Sequence, residues 1–167
     1  MFFRIIFFAA VFVGFADVGY AQWLHQKQES AFGSDGLELI ITASAGMGFG
    51  IRCSSESIEA VFITKDTSFD DETFLIANAT SPKLLLRIDN EAPLELEGML
   101  WDSEGKAAMT AEVEAEFIDG IANAKRRVSV AVKLLGEVYH ETSFSAVGST
   151  KAANKLKAGC SAKQSGS

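Results

Sequence analysis

Residues 127–135 read RVSVAVKLL, with valine or leucine at every second position from 128 to 134. Successive side chains of a β-strand point to opposite faces, so this alternation predicts a strand with one buried face and one face in water. Gly136 and Glu137 follow as a tight turn, and residues 138–147 are predicted to return as the second strand of a hairpin.

Short apolar runs separated by turn-forming residues recur along the rest of the chain. They predict further strands at residues 37–43, 49–53, 58–64, 73–79, 84–89 and 94–101. The acidic residues 66–72 are predicted to form a loop. Strands at such short intervals favour a mainly β (α+β) fold, either an antiparallel β-sandwich or a barrel-like sheet.

Two segments predict helices instead. Residues 112–124 carry apolar side chains at helical spacing and are expected to form one inserted helix that packs on the sheet. Ser149 is expected to cap a C-terminal helix over residues 150–158, which Gly159 ends. Residues 161–167 are small and polar, and they are predicted to form a disordered tail.

The N-terminus has the three parts of a secretory signal peptide. Arg4 precedes an apolar run over residues 5–15, and the small residues Gly19 and Ala21 end the segment. We expect removal of residues 1–21, with mature protein beginning at Gln22 in the periplasm or outside the cell. The apolar run is shorter than the ~20 residues that a membrane span needs, so no span is expected in the mature chain. Residues 22–160 are predicted to form a single domain.

The chain has two cysteines, Cys53 and Cys160, and both lie in the exported part. An even number of cysteines in an oxidising compartment predicts a disulfide. Ala152, Leu156 and Cys160 are spaced four apart and share one helix face, so the bond would pin the C-terminal helix to the strand that holds Cys53. No close pair of metal ligands accompanies the cysteines, and neither a metal nor another cofactor is expected.

Charge divides the mature chain into two parts. Residues 22–120 contain 6 Lys or Arg against 19 Asp or Glu, a net −13, whereas residues 121–167 contain 8 against 2, a net +6. This distribution lacks the basic and aromatic surface of a nucleic-acid-binding protein. The two parts are either solvated faces or include a basic edge that docks an acidic partner, for which Lys151, Lys155 and Lys157 are the candidate contacts.

No group of residues in the sequence combines a nucleophile, a base and an orienting side chain, so the protein is predicted not to be an enzyme. His140 lies in a predicted hairpin strand, where its neighbour Glu141 points to the opposite face. Arg87 and Asp89 share one face of a strand. They are expected either to form a structural ion pair or to contact a partner.

The pattern Phe144-x-x-x-Gly148-x-x-x-Ala152-x-x-x-Leu156-x-x-x-Cys160 resembles the C-terminal part of the VasI/TagO family of type VI secretion-associated exported proteins. Ile51-Arg52-Cys53 and Arg87-Ile88-Asp89 precede it in the same order as in that family. The similarity spans residues 49–160, and Leu135-Gly136-Glu137, where the family has a Thr-Pro-Phe element, marks a divergent member.

This resemblance implies a non-catalytic accessory protein that binds a protein partner in the cell envelope, in type VI secretion or another envelope function. It transfers no catalytic residue. The alternative prediction is a small disulfide-stapled inhibitor, similar to lysozyme inhibitors, or a ligand-binding β domain.

Overall fold

The computed structural model describes residues 22–28, 37–67 and 70–164, so the predicted signal peptide lies outside the described residues. The strands are β1 (Leu24–Gln28), β2 (Leu37–Ser44), β3 (Met47–Cys53), β4 (Ile58–Thr67), β5 (Lys83–Ile88), β6 (Leu94–Glu97), β7 (Met99–Ser103), β8 (Lys106–Glu112), β9 (Arg127–Leu134) and β10 (Glu137–Ser145). The helices are α1 (Asp71–Asn78), α2 (Ala115–Asn123) and α3 (Ser149–Gln164).

The strands form two antiparallel sheets that pack as a sandwich. One sheet has the order β1-β2-β3-β4-β8-β7 and the other has the order β10-β9-β5-β6. Between them Phe49 of β3 stacks on Phe144 of β10, with ring centroids 5.9 Å apart. The predicted mainly β fold with a C-terminal helix is confirmed.

The predicted hairpin is confirmed as β9 and β10, although its turn is formed by Leu135 and Gly136. The expected water-facing side of β9 is only partly correct, because residues 128–132 are all buried. The buried hydroxyl of Ser129 has a hydrogen-bond partner in this position, the Ser143 hydroxyl across the hairpin at 2.8 Å. A small polar residue therefore lies on a largely covered face of the sheet.

The prediction of a strand at residues 73–79 is wrong, because this segment belongs to α1. Asp70 caps the helix by accepting the backbone N–H of Thr73 at 2.8 Å, and acidic residues occupy the first turn. The predicted loop at residues 66–72 is correspondingly shortened from both ends by β4 and α1. Leu75 and Ile76, which suggested a strand, lie on the exposed side of the helix.

The single strand predicted at residues 94–101 is two strands that belong to different sheets. β6 pairs with β5, and β7 pairs with β8 after a break at Gly98. A Cβ atom at Gly98 would lie 2.7 Å from the Thr110 carbonyl oxygen, so the chain can cross between the sheets here only with glycine. Two further strands, β1 and β8, were not predicted from the sequence.

The inserted helix is confirmed as α2, within the predicted residues 112–124. The predicted end of the C-terminal helix at Gly159 is wrong, because α3 continues to Gln164 and includes four residues assigned to the tail. A Cβ at Gly159 would lie 2.5 Å from the Glu38 carboxyl carbon, so this glycine allows α3 to approach β2 closely. Ser149 begins the helix, but its buried hydroxyl makes no hydrogen bond to the described residues.

The predicted disulfide is confirmed between Cys53 at the end of β3 and Cys160 in α3. Their Cα atoms are 5.8 Å apart, within the range that the bond requires. Ala152 and Leu156 are buried on the same helix face, as their spacing predicts. The disulfide therefore joins α3 to the six-stranded sheet beside a packed apolar contact.

Candidate functional site

Arg87 and Asp89, predicted as a structural pair or as partner contacts, bond to other groups and not to each other. Arg87 lies 4.0 Å from the carboxylate of Glu141 on β10. Asp89 follows β5 with a left-handed φ of 50°, and its carboxylate accepts the backbone N–H groups of Lys125, Arg126 and Arg127 at 2.8–2.9 Å. Asp89 thereby fastens the end of β5 to the start of β9.

These hydrogen bonds make the stability of the fold dependent on pH. The backbone N–H of Lys125, followed by that of Arg127, lowers the pKa of Asp89 below its ordinary value of 3.8. Because the folded-state pKa is the lower one, Asp89 stabilises the fold above its ordinary pKa. This contribution is lost as the pH falls through the lowered folded-state value.

We expect Asp89→Asn to reduce the free energy of unfolding at neutral pH, since an amide cannot accept all three hydrogen bonds as an anion does. The variant should also lose less stability than the wild type as the pH falls from about 5 through the lowered folded-state pKa of Asp89. Urea unfolding at several pH values measures both effects. Glu97→Gln, at an exposed position, is the control, and an Asp89→Asn curve parallel to the wild type would contradict the assignment.

The three lysines predicted as partner contacts do not share one surface. Lys157 forms an ion pair with Asp119 of α2 at 2.6 Å, so it lies on the side of α3 that faces α2. Lys151 and Lys155 are four residues apart and exposed on another side of the helix. Only these two remain as a candidate basic edge, and their role in binding stays a prediction.

His140 lies at an irregularity in β10, with a left-handed φ of 56° and a register shift between Tyr139 and Thr142. Its Nε2 atom is 3.2 Å from a carboxylate oxygen of Asp66 in the opposite sheet. This contact is a pair between the two sheets, and it accounts for the orientation of the imidazole.

A cleft of about 750 Å³ opens at one end of the sandwich. Its apolar lining comes from both sheets and from α2, and it includes Ile58, Leu86, Ile88, Val113 and Phe117. Its volume lies within the range of small-molecule and peptide-binding pockets. We call this feature the acidic cleft because of the side chains that surround its opening.

Five glutamates line the acidic cleft, and no lysine, arginine or histidine does. They are Glu56, Glu91, Glu112, Glu114 and Glu116. All five are exposed, and none takes part in an ion pair among the described residues. Glu114 is at the N-cap position of α2, yet its side chain makes no capping hydrogen bond. The opening therefore presents several negative charges that the described chain itself does not neutralise.

The acidic cleft was not predicted from the sequence, because its glutamates come from separate parts of the chain. Glu56 precedes β4, Glu91 follows β5, and the other three surround the connection between β8 and α2. The excess of acidic residues over 22–120 was the only signal, and it does not indicate which of them meet in space.

Two classes of site can be compared with the coordinates directly. In the described ranges no three or more His, Cys, Asp or Glu side chains are grouped so that they could hold a metal ion. None of the helices described is long and apolar enough to cross a membrane.

Comparison of the chain with protein-family models, curated proteins and solved structures finds no match.

Proposed function

We propose that the mature chain is an exported, non-catalytic binding protein of the cell envelope. Its acidic cleft binds a positively charged, partly apolar segment of a protein partner. The observation that carries this proposal is the group of five glutamates around an apolar cavity, which have no ion-pair partner and no basic neighbour in the cavity lining within the described part of the chain.

The two properties of the cleft select the same kind of partner. Apolar side chains of the partner would displace water from the cavity floor, which supplies most of the affinity. Lysine or arginine side chains beside them would meet the glutamates at the opening, which sets orientation and association rate. A nucleic acid or another polyanion would be repelled by the same opening.

Two features of the chain support the proposed location of this function. The predicted signal peptide and the disulfide are compatible with an oxidising compartment outside the cytoplasm. The resemblance to the VasI/TagO family supports an accessory role in type VI secretion or another envelope assembly. The alternative, an inhibitor similar to lysozyme inhibitors, is also favoured by the acidic cleft, because an inhibitor of a basic enzyme needs an acidic surface.

We expect a synthetic amphipathic peptide of lysine and leucine to bind the mature protein and to shift the amide NMR signals of residues that line the cleft. Replacing Glu91, Glu114 and Glu116 by glutamine should weaken binding about tenfold, since three exposed charge pairs contribute roughly 0.5 kcal/mol each. The remaining affinity should depend less on salt than that of the wild type. Isothermal titration calorimetry measures both quantities.

The matched control replaces Glu72, Glu104 and Glu137 by glutamine, which removes the same charge from exposed positions outside the cleft. This variant should bind the peptide almost as the wild type does. Equal weakening in both variants would show only a general charge effect, and signals that shift elsewhere would contradict the site. Inhibition of lysozyme by the wild type, lost in the cleft variant, would select the inhibitor alternative.

A further inference from the structure

The outer face of the six-stranded sheet carries two adjacent rows of residues without a charge. The first row crosses all six strands through Leu24, Ile41, Gly50, Val61, Thr110 and Met99. The second row crosses five strands through Ala43, Gly48, Ile63, Ala108 and Trp101. We call these two rows the apolar face. It lies on the side of the sheet opposite the sandwich core, where polar side chains are normally found.

The apolar face is concave at its middle. Gly48 and Gly50 leave the middle of this face of β3 without side chains. Ile41 on one side and Val61 and Ile63 on the other therefore line a depression of about 530 Å³. At Gly50 a Cβ would lie 2.6 Å from the Ile40 carbonyl oxygen, so glycine is needed there. At Gly48 a Cβ would only touch Ile63 at 3.8 Å, so the backbone leaves room for a side chain that the sequence does not supply.

Charged residues occur at the two ends of the apolar face, and their signs differ. Beyond the first row, Arg52 pairs with Glu59 at 2.6 Å, and Glu112 lies opposite Glu59 on β8, which gives this end a net negative charge. Beyond the second row, Lys65 of β4 and Lys106 of β8 are exposed and supply positive charges on this side of the sheet, while Glu104 lies in the adjoining turn between β7 and β8. A partner that matches this face needs an apolar middle and the same charges in the reverse order.

A second copy of the chain meets these requirements. When two copies face each other about a two-fold axis that runs across the strands, the lysine end of one lies over the glutamate end of the other. Together with the charged positions beyond them, the two rows span six strands at ~4.8 Å spacing and about seven residues along each strand, which gives an outline of roughly 24 by 23 Å. The projecting side chains raise the accessible area of this outline toward the ~800 Å² per partner of a stable interface.

We propose that the mature chain forms a two-fold dimer through the apolar face, with the two six-stranded sheets packed against each other and their strands antiparallel. This surface lies apart from the acidic cleft on the molecule, except that Glu112 borders both. The dimer does not depend on the proposed function of the cleft, and oligomeric state is measured without any peptide.

Sedimentation equilibrium of the mature, disulfide-bonded protein is expected to give twice the mass of the chain at micromolar concentrations. A monomer throughout this range overturns the proposal. Val61→Glu, in the middle of the apolar face, should raise the dimer dissociation constant at least about tenfold, because the dimer would bury an unpaired carboxylate. Met99→Glu, at an exposed position on the edge strand, should also raise the dimer dissociation constant. This variant tests the apolar face if Val61→Glu does not fold.

The control is Val138→Glu, which adds the same charge at a half-exposed position in the four-stranded sheet and should leave the dimer unchanged. A dimer that persists in Met99→Glu and Val61→Glu overturns the assignment of the face. Replacing both Lys65 and Lys106 by glutamate should weaken the dimer, and adding Glu112→Lys should restore part of the affinity. Equal dimerisation of the charge variants would refute the antiparallel arrangement.

Discussion

Replacing Cys53 and Cys160 by alanine is expected to lower the free energy of unfolding by about 4 kcal/mol, close to the whole stability of a marginal domain. The bond closes a loop between residues that are 107 positions apart. Without it the unfolded chain gains the conformational freedom of that loop, whereas the folded chain loses little. In the chain-entropy account a loop of this length gives one of the larger disulfide contributions.

Most of the contacts around the disulfide should survive its removal. Ala153 and Leu156 of α3 are fully buried, and the helix also packs on α2 and β2. We therefore expect the double variant to fold with α3 in place at low temperature and to unfold at lower urea concentration. Because the change acts through the unfolded state, the dependence of unfolding on urea should also become steeper.

Urea unfolding of the double alanine variant, with and without reductant, measures this effect. Reductant should destabilise the wild type by a similar amount and leave the variant unchanged, which separates loss of the bond from the loss of two buried sulfur atoms. A variant within about 1 kcal/mol of the wild type would contradict the prediction, because disulfides typically contribute about 2–4 kcal/mol.

The parts of the fold that could be predicted are those where a local pattern and the tertiary structure agree. The alternation at residues 127–135 reports burial on a sheet, and the helical spacing at residues 112–124 reports packing of α2 on it. The disulfide could be predicted from the number of cysteines and from the oxidising compartment that the signal peptide implies. In each case one physical cause, burial of apolar side chains or oxidation of two thiols, determines the structure.

The wrong predictions occur at positions where the residue type is explained by a contact that exists only in the folded chain. Gly159 resembles the residue that ends a helix, but a glycine is required there because the Glu38 side chain lies against the helix at that point. Gly98 separates β6 from β7 because the Thr110 carbonyl leaves no room for a side chain. The apolar residues of α1 resemble a strand, although Phe74 alone among them is buried.

The candidate sites were harder to predict than the fold, because both are made by tertiary contacts. The acidic cleft gathers glutamates from three separate connections of the chain, and the apolar face appears only once the register of six strands is known. Arg87 lies in β5, but the prediction that Asp89 shares a strand face with it is wrong, because β5 ends at Ile88 and Asp89 has a left-handed φ. The sequence could not show that three backbone N–H groups bind the carboxylate of Asp89.

Phe144→Ala is expected to lower the free energy of unfolding by about 3–5 kcal/mol, the usual cost of truncating a buried phenylalanine. Phe144 is fully buried and stacks on Phe49 of the opposite sheet. Phe49 in turn contacts Trp23 edge to face, and the Trp23 indole N–H donates to the Ser145 carbonyl oxygen at 2.8 Å. The aromatic ring thus joins the two sheets at the point where the N-terminal segment is also fastened.

The cost should be high because the site cannot easily collapse. Sheets on both sides are held by their own hydrogen bonds, so removal of the ring leaves a cavity instead of a closer packing. Tyr139→Ala, at an exposed position on the same strand, removes a ring of similar size and should cost far less. Urea unfolding followed by circular dichroism compares the two. Nearly equal losses in both variants would show that strand propensity, and not the contact between the sheets, makes Phe144 important.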